Sequence, residues 1–455
     1  VQTDSTLCVC VPPTLFASGD CGVIKSAPRP PSGVWAVRSA AILARNLLAA
    51  EEDRPLQSWR PQAQALQLMG NPSQRPTQAW GRWGSWTLPA NRWLWWIKRR
   101  IDQRFIAGFQ ANRAMAQDDQ AMACRGCAAK LPAEPLQAAL EQSGLNGPAE
   151  DAAELGGEPP RLQSMDGFPA LLSDPWLNAR LTTLHACSDL WACGARVDHA
   201  MALVTLPADG AELQQELLAQ TLAGIRSALN EQGADLIGGH TLEARSPTPN
   251  PASLGLQVAL SVNGTALSAP WPKIGPKAGD ALLLSRPLGT GVLFAAAMAG
   301  AAHPADLDDA LQAMNQSQHQ LVDALGPCET IHACTDITGF GLLGHLGEML
   351  TPDIRLHLEL EQLQAYPGAL ALLEQGYASS LAPANRQAWR LLDPNPTTGH
   401  APITLNGRPS RSQLELLVDP QTCGPLLISC PQATATDLIN QGPWQQIGSA
   451  RSAHG

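Results

Sequence analysis

The stretch 211–231 constrains the fold more than any other part of this chain. Leu213, Leu217, Leu218, Leu222 and Ile225 recur three and four residues apart, the period of one buried helix face. Strand-like segments flank it at 199–206 and 254–263. Further helices are expected over 175–194, 289–300, 305–325 and 340–350, and further strands over 280–286, 354–360 and 424–430. Helices and strands mixed in this order point to an α+β fold rather than a doubly wound parallel sheet. With 39 Gly and 38 Pro in 455 residues, the elements are expected to be separated by many tight turns.

The length suggests two or three domains, and composition separates three regions. Residues 1–112 hold eight of the 13 Trp and a basic stretch, 113–122 read as a polar linker, and 123–455 are rich in Ala, Leu and Gly. The segment 268–279 carries three Pro and two Gly, so the last region is split into domains at 123–270 and 271–455. The chain opens on Val1 in what reads as the middle of a fold, and a longer N-terminal part is expected. A net charge of -10 argues against nucleic acid as a partner. No apolar run reaches the roughly 18 residues of a membrane span. The 11 Cys are scattered, several in apolar surroundings, as expected of reduced thiols in a cytoplasmic protein.

Chemistry concentrates after residue 123. Cys124-Arg125-Gly126-Cys127-Ala128-Ala129-Lys130 places a thiol and an amine three residues apart on a small-residue run, and a nearby ammonium favours the nucleophilic thiolate. The Cys-x-x-Cys spacing also fits zinc or a dithiol. A structural zinc would want a second Cys/His pair close by, and a dithiol site a βαβ context. Asp151, Asp166, Asp189 and Asp336 are carboxylates in apolar or small-residue settings. Taken singly, each fits a helix cap or turn former, and Asp336 could cap a helix starting near Gly341. Taken together, acids on several elements suit Mg²⁺ held through phosphates. Asp189, flanked by Leu190 and Trp191 in mid-helix, is hardest to explain structurally. Gly238-Gly239-His240-Thr241 reads as a strand-ending turn whose amides could approach phosphates. Gly339 to His345 reads as a closely packed helix start. The segment 245–251 reads as a Pro-rich surface loop, and there is no Walker lysine loop.

In order along the chain, these motifs resemble those of selenophosphate synthetase (selenide, water dikinase), in the aminoimidazole-ribotide-synthetase-like ATP-binding superfamily. The series runs through Cys127–Lys130, Asp151-Ala-Ala, Asp166-Gly-Phe-Pro, Ser188-Asp189, Gly238-Gly-His-Thr, Thr335-Asp-Ile-Thr-Gly-Phe-Gly-Leu-Leu-Gly-His-Leu and Asp419-Pro-Gln-Thr-Cys-Gly-Pro-Leu-Leu, covering about 123–450. The resemblance implies a two-domain α+β fold and a homodimer. It implies conversion of ATP, selenide and water to selenophosphate, AMP and phosphate. It assigns Cys127 and Lys130 to catalysis, and Asp151, Asp189 and Asp336 to Mg²⁺. Lys130, Glu150, Asp166, Asp189, Gly238, Gly239 and His240 fall to the nucleotide. His185, Cys193, Cys423 and Pro425 depart from the usual family residues. Related synthases and kinases of the superfamily lack the Cys-x-x-Lys arm.

The N-terminal region carries a separate resemblance, over about 5–50. Thr14 to Gly22, with Gly19-Asp20, is similar to the second flavin-contact motif of pyridine-nucleotide-disulfide oxidoreductases, of the type II NADH-dehydrogenase kind. It implies Asp20 as an FAD contact in a longer protein, and it supports a second reading. In that reading the protein is an FAD-dependent NAD(P)H oxidoreductase whose C-terminal part binds nucleotide without catalysis. Residues 92–105 read as an amphipathic helix, with Trp93, Ile97, Ile101 and Phe105 four apart. Packing against its own protein body is favoured over contact with a membrane surface.

Overall fold

A computed structural model describes residues 1–9, 15–30, 33–52, 54–71, 78–109, 125–143, 150–244, 256–326, 330–395 and 399–453. The proposed linker 113–122, Cys124 and the Pro-rich segment 245–251 lie outside these residues. The chain divides into two compact units, Val1–Asn112 and Arg113–Gly455.

In the first unit, Gln2–Thr3 pairs in parallel with Val23–Ile24, and the helix Gly33–Glu51 buries Trp35, Ser39, Asn46 and Ala49. Asn46 lies fully inside because its amide is satisfied: it donates to Thr6 O and Gln57 O at 2.7 and 2.8 Å and accepts from Gln57 N–H at 2.8 Å. A three-stranded antiparallel sheet, Gln67–Asn71, Gln78–Trp83 and Trp86–Asn91, leads into the helix Arg92–Phe109. The helix forms as expected, but its buried face does not run through Trp93 and Ile101, which are 65% and 51% exposed. Leu94 is buried at 3% exposed, with Trp95 and Ile97 half-buried, among the described residues of the helix. Among the described residues no helix is long and apolar enough to cross a membrane.

The second unit is built on two sheets. The first runs in the order Ala153–Gly156, Arg161–Pro169, Gln257–Ala266, Ala195–Pro207, Asp235–Ala244, antiparallel except for its last pair. The second runs Ala333–Asp336, Leu426–Pro431, Asp280–Leu284, Gln445–Ser452, Ile354–Glu359, Ile403–Asn406, again with only the last pair parallel. Gln257–Ala266 alternates inward and outward residues, burying Val258, Leu260 and Val262, so that strand has one covered face. Asp280–Leu284 is buried throughout, as a central strand must be.

Between the sheets lies the helix Pro175–Ala192, buried nearly all round: Ala179, Leu181, Leu184, Ala186, Cys187, Leu190 and Trp191 are at most 2% exposed. Its start is set by the Asp174 carboxylate, which accepts Leu177 N–H at 2.9 Å, and by Pro175 in the first turn. Each leucine buried here contributes roughly 1.5–3 kcal/mol. The result is a rigid rod whose last turn presents Ser188 and Asp189 to the second sheet.

The helix expected over 305–325 is two helices, Pro304–Met314 and His319–Leu325. The break serves Gln318, whose buried amide accepts from Ser285 Oγ at 2.5 Å and donates to Gly424 O at 3.0 Å. The Gly238-Gly239 pair does not end a strand; it lies within the continuous edge strand Asp235–Ala244. There a Cβ on Gly239 would stand 2.1 Å from Ala202 O, so the close approach of two backbones explains the glycine.

Candidate active site

Three acids distant in sequence meet where the sheets face each other. Asp151 precedes the strand Ala153–Gly156, Asp189 lies in the last turn of Pro175–Ala192, and Asp336 ends the strand Ala333–Asp336. One carboxylate oxygen from each lies within 4.8 Å of the others. Asp336 is therefore a member of this cluster and not a helix cap; the helix Gly341–Met349 starts after Phe340 with no side-chain cap. Burial, only partly offset by Lys273 and reinforced by Asp336, raises Asp151 to about 6. Burial first, and then Asp336 and Asp166, push Asp189 well above the carboxylate range. Ser164 Oγ donates to Asp189, Ser188 Oγ contacts Asp336, and Thr335 Oγ1 donates to Asp151 at 3.3 Å. Three crowded carboxylates, two of them (Asp151 and Asp189) raised above the carboxylate range, suit a cation. An oxygen-only donor set on three elements fits Mg²⁺ that completes its shell with phosphate oxygens.

A residue that sequence reasoning missed stands against this cluster. Lys273 is 7% exposed; its Nζ donates to Asp151 Oδ1 at 2.7 Å and forms an ion pair with Glu348 Oε2 at 2.7 Å. Its backbone N–H donates to Glu150 Oε2 at 3.0 Å, which places Glu150 beside the triad. Thr338 N–H donates to His345 Nε2 at 3.1 Å, leaving Nδ1 to carry the ring proton toward Glu348 Oε2 at 3.3 Å. Burial alone would raise Glu348; His345 and Lys273 together bring it down to about 2. The His345–Glu348 pair at i,i+3 on a predicted helix was the available sequence signal. Lys273 had none, since it sits in the Pro-rich connection between the sheets.

The Cys-x-x-Lys arm reaches the same region. Gly126–Ala129 forms a single 3-10 turn that contains Cys127. Lys130 follows it, with Nζ 4.9 Å from the Phe340 ring centre. A cavity of about 100 Å³ is lined by Gly126, Lys130, Asp166, His185, Thr338 and Gly339, among others. Asp166 faces His185, with 3.2 Å between Oδ2 and Nε2. Burial would raise this carboxylate, but His185, Lys130 and the Gly167 N–H outweigh it and hold it below its ordinary value. His185 is 2% exposed, and its Nδ1 accepts Cys423 N–H at 3.2 Å. His185 and Cys423 thus touch each other. Cys423 itself holds a left-handed backbone, φ 49.

The structure therefore brings Lys130, Glu150, Asp151, Asp166, Asp189 and Asp336 into one region. It does not bring Gly238, Gly239 and His240 there. They are exposed on the edge strand, and the register Asp166–Leu260–Ala202–Gly239 sets Gly239 three strands, roughly 14 Å, from Asp166. Asp20 belongs to the first unit, exposed in the 3-10 turn Gly19–Cys21.

Comparison with known proteins bears on this arrangement. Residues 149–263 match the N-terminal domain, and residues 277–451 the C-terminal domain, of the AIR synthase related proteins. Selenide, water dikinase of Bdellovibrio bacteriovorus is 30% identical over 329 residues, 69% of this chain and 88% of that protein. Selenide, water dikinase of Geobacter sp. (strain M21) is 32% identical over 331 residues, 70% and 89% of the two chains. The crystal structure of tt0281 from Thermus thermophilus shares the fold, with a TM-score of 0.51 at 19% identity over 71% of this chain and 95% of that one.

Proposed function

The chain belongs to the AIR synthase-related family, whose two α+β domains account for residues 149–451, and on that premise we propose that it is a selenophosphate synthetase. The reaction is ATP, selenide and water to selenophosphate, AMP and phosphate, supplying activated selenium for selenocysteine or selenouridine synthesis. The observation that carries the reading is the meeting of the Cys127–Lys130 arm, Asp166 and the Asp151–Asp189–Asp336 triad in one region. A phosphotransferase of another specificity needs the triad but has no use for the thiol.

Phosphoryl transfer depends on placing the reactants and neutralising charge more than on covalent chemistry. Asp151, Asp189 and Asp336 would hold Mg²⁺, which when bound screens the phosphate charge. Lys130 supplies a cation from an exposed arm, released from Phe340 to the phosphates as the arm closes. Cys127, on the turn before it, orients selenide, whose oxidation level stays unchanged, for attack on the γ-phosphorus as the bond to the ADP oxygen breaks. Asp166, held ionised by His185 and lining the same cavity, orients the nucleotide.

The outer face of the first sheet exposes Met165 (66%), Met201 (48%), Ile237 (60%) and Leu242 (46%), the apolar face on which a second copy would pair as a homodimer. Residues 1–112 read as the C-terminal part of an FAD-dependent oxidoreductase, with Asp20 toward the flavin. Flavin absorbance in the protein purified from its own cells tests that part. For the synthetase itself, AMP release from ATP is measured with and without selenide. The reading expects strict dependence on selenide and loss of it in Cys127→Ser; AMP release indifferent to both refutes it.

A further inference from the structure

Lys273 is fixed more firmly than a screening surface cation. Its segment is pinned to the end of the helix Pro175–Ala192 and to the second sheet: Trp271 N–H donates to Cys193 O at 3.1 Å, and Cys334 N–H donates to Pro272 O at 2.9 Å. The second of these partners lies two residues before Asp336. The backbone N–H of Lys273 is bound by Glu150, and its side chain is stretched between Asp151 and Glu348. Removing one partner of such a buried pair leaves an uncompensated charge, so the ammonium and the two carboxylates stand or fall together.

The ammonium therefore occupies one oxygen of a residue that a divalent ion would use. We propose that Lys273 is a built-in competitor for metal. Its fixed charge keeps the triad from binding free Mg²⁺ tightly, so that metal loads with the nucleotide, whose phosphates bring the compensating negative charge. A unit charge held a few ångströms from a dication in this setting repels it strongly, and removing it should tighten nucleotide-free binding by about tenfold or more. The inference rests on the reading that the triad holds Mg²⁺ and is independent of the selenium chemistry.

The test uses the full chain, stripped with EDTA, and Mg²⁺ as the probe. Calorimetric titration without nucleotide and thermal melting with and without Mg²⁺ are run on wild type, Lys273→Met, Glu348→Gln and Asp336→Asn. Lys273→Met should bind Mg²⁺ at least about tenfold tighter than wild type, and Mg²⁺ should restore its lowered melting temperature. A lysine of purely structural importance would lower the melting temperature with no such recovery. Glu348→Gln keeps the lysine and frees it wholly for Asp151, so it should bind Mg²⁺ more weakly than wild type. This variant decides the matter if Lys273→Met does not fold. Equal affinities in wild type and Lys273→Met, or tighter binding in Glu348→Gln, overturn the proposal. Mg²⁺ binding unchanged by Asp336→Asn overturns the triad assignment instead.

Discussion

Asp151 should make the metal-free protein less stable at neutral pH than in mild acid. Burial, with Asp336 adding to it against Lys273, raises this carboxyl from its ordinary 3.8 to about 6. A group whose folded pKa lies above its unfolded value takes up protons more readily in the folded state. Its contribution is therefore greatest below about 4 and is lost as pH rises through about 6. A shift of about two units corresponds to about 3 kcal/mol in all, of which about 1.4 kcal/mol falls between about pH 5 and pH 7.5. Asp189 is raised by the same causes and acts in the same direction. Glu348, lowered to about 2, titrates below that window and does not interfere. Urea unfolding in EDTA at the two pH values, on wild type and Asp151→Asn, isolates the effect. The variant should lose about 1 kcal/mol of the pH-dependent difference. An identical pH difference in both proteins would refute the argument that the triad carboxylates are crowded and buried.

Other perturbations have expected outcomes of their own. Gly341→Ala places a Cβ 2.7 Å from the Val418 carbonyl carbon at a φ of +71; thermal or urea unfolding should show a loss of about 2–4 kcal/mol, and none would mean the turn relaxes freely. His185→Leu removes the partner of Asp166 and leaves the buried Cys423 N–H unsatisfied. It should cost roughly 1–3 kcal/mol and raise KM for ATP, while His185→Gln, which can still donate and accept, should recover most of both. Lys130 is exposed, so Lys130→Ala should lower the selenide-dependent rate by about a hundredfold without moving the melting temperature; a large drop in Tm would point to a structural role instead.

Much of the fold was legible because it rests on periodicity. The helix Ala211–Glu231 has the expected bounds, and the alternating strand Gln257–Ala266 lies close to its expected place. Periodicity fails where a single side chain decides the local backbone. Gln318 interrupts a helical run to satisfy a buried amide, and Gly239 imitates a turn because two strands approach closely. On Arg92–Phe109 the stripe through Trp93, Ile97 and Ile101 looked like the buried face, but Trp93 and Ile101 are exposed and Leu94 is buried instead. At the site, each aspartate alone could have been a cap, and only the order of motifs along the chain singled them out. Lys273 left no trace in sequence, since a lysine between prolines looks like any exposed loop residue until two elements close over it.

The central claim is that the arm and the triad serve phosphorylation of selenide. Phosphorus-31 NMR of the full chain with ATP, Mg²⁺ and selenide tests it most directly. The account predicts a new resonance split by coupling to selenium, with AMP and phosphate formed in equal amounts and none of the three in Cys127→Ser. ADP as the accumulating nucleotide, with no phosphorus–selenium species, would contradict it.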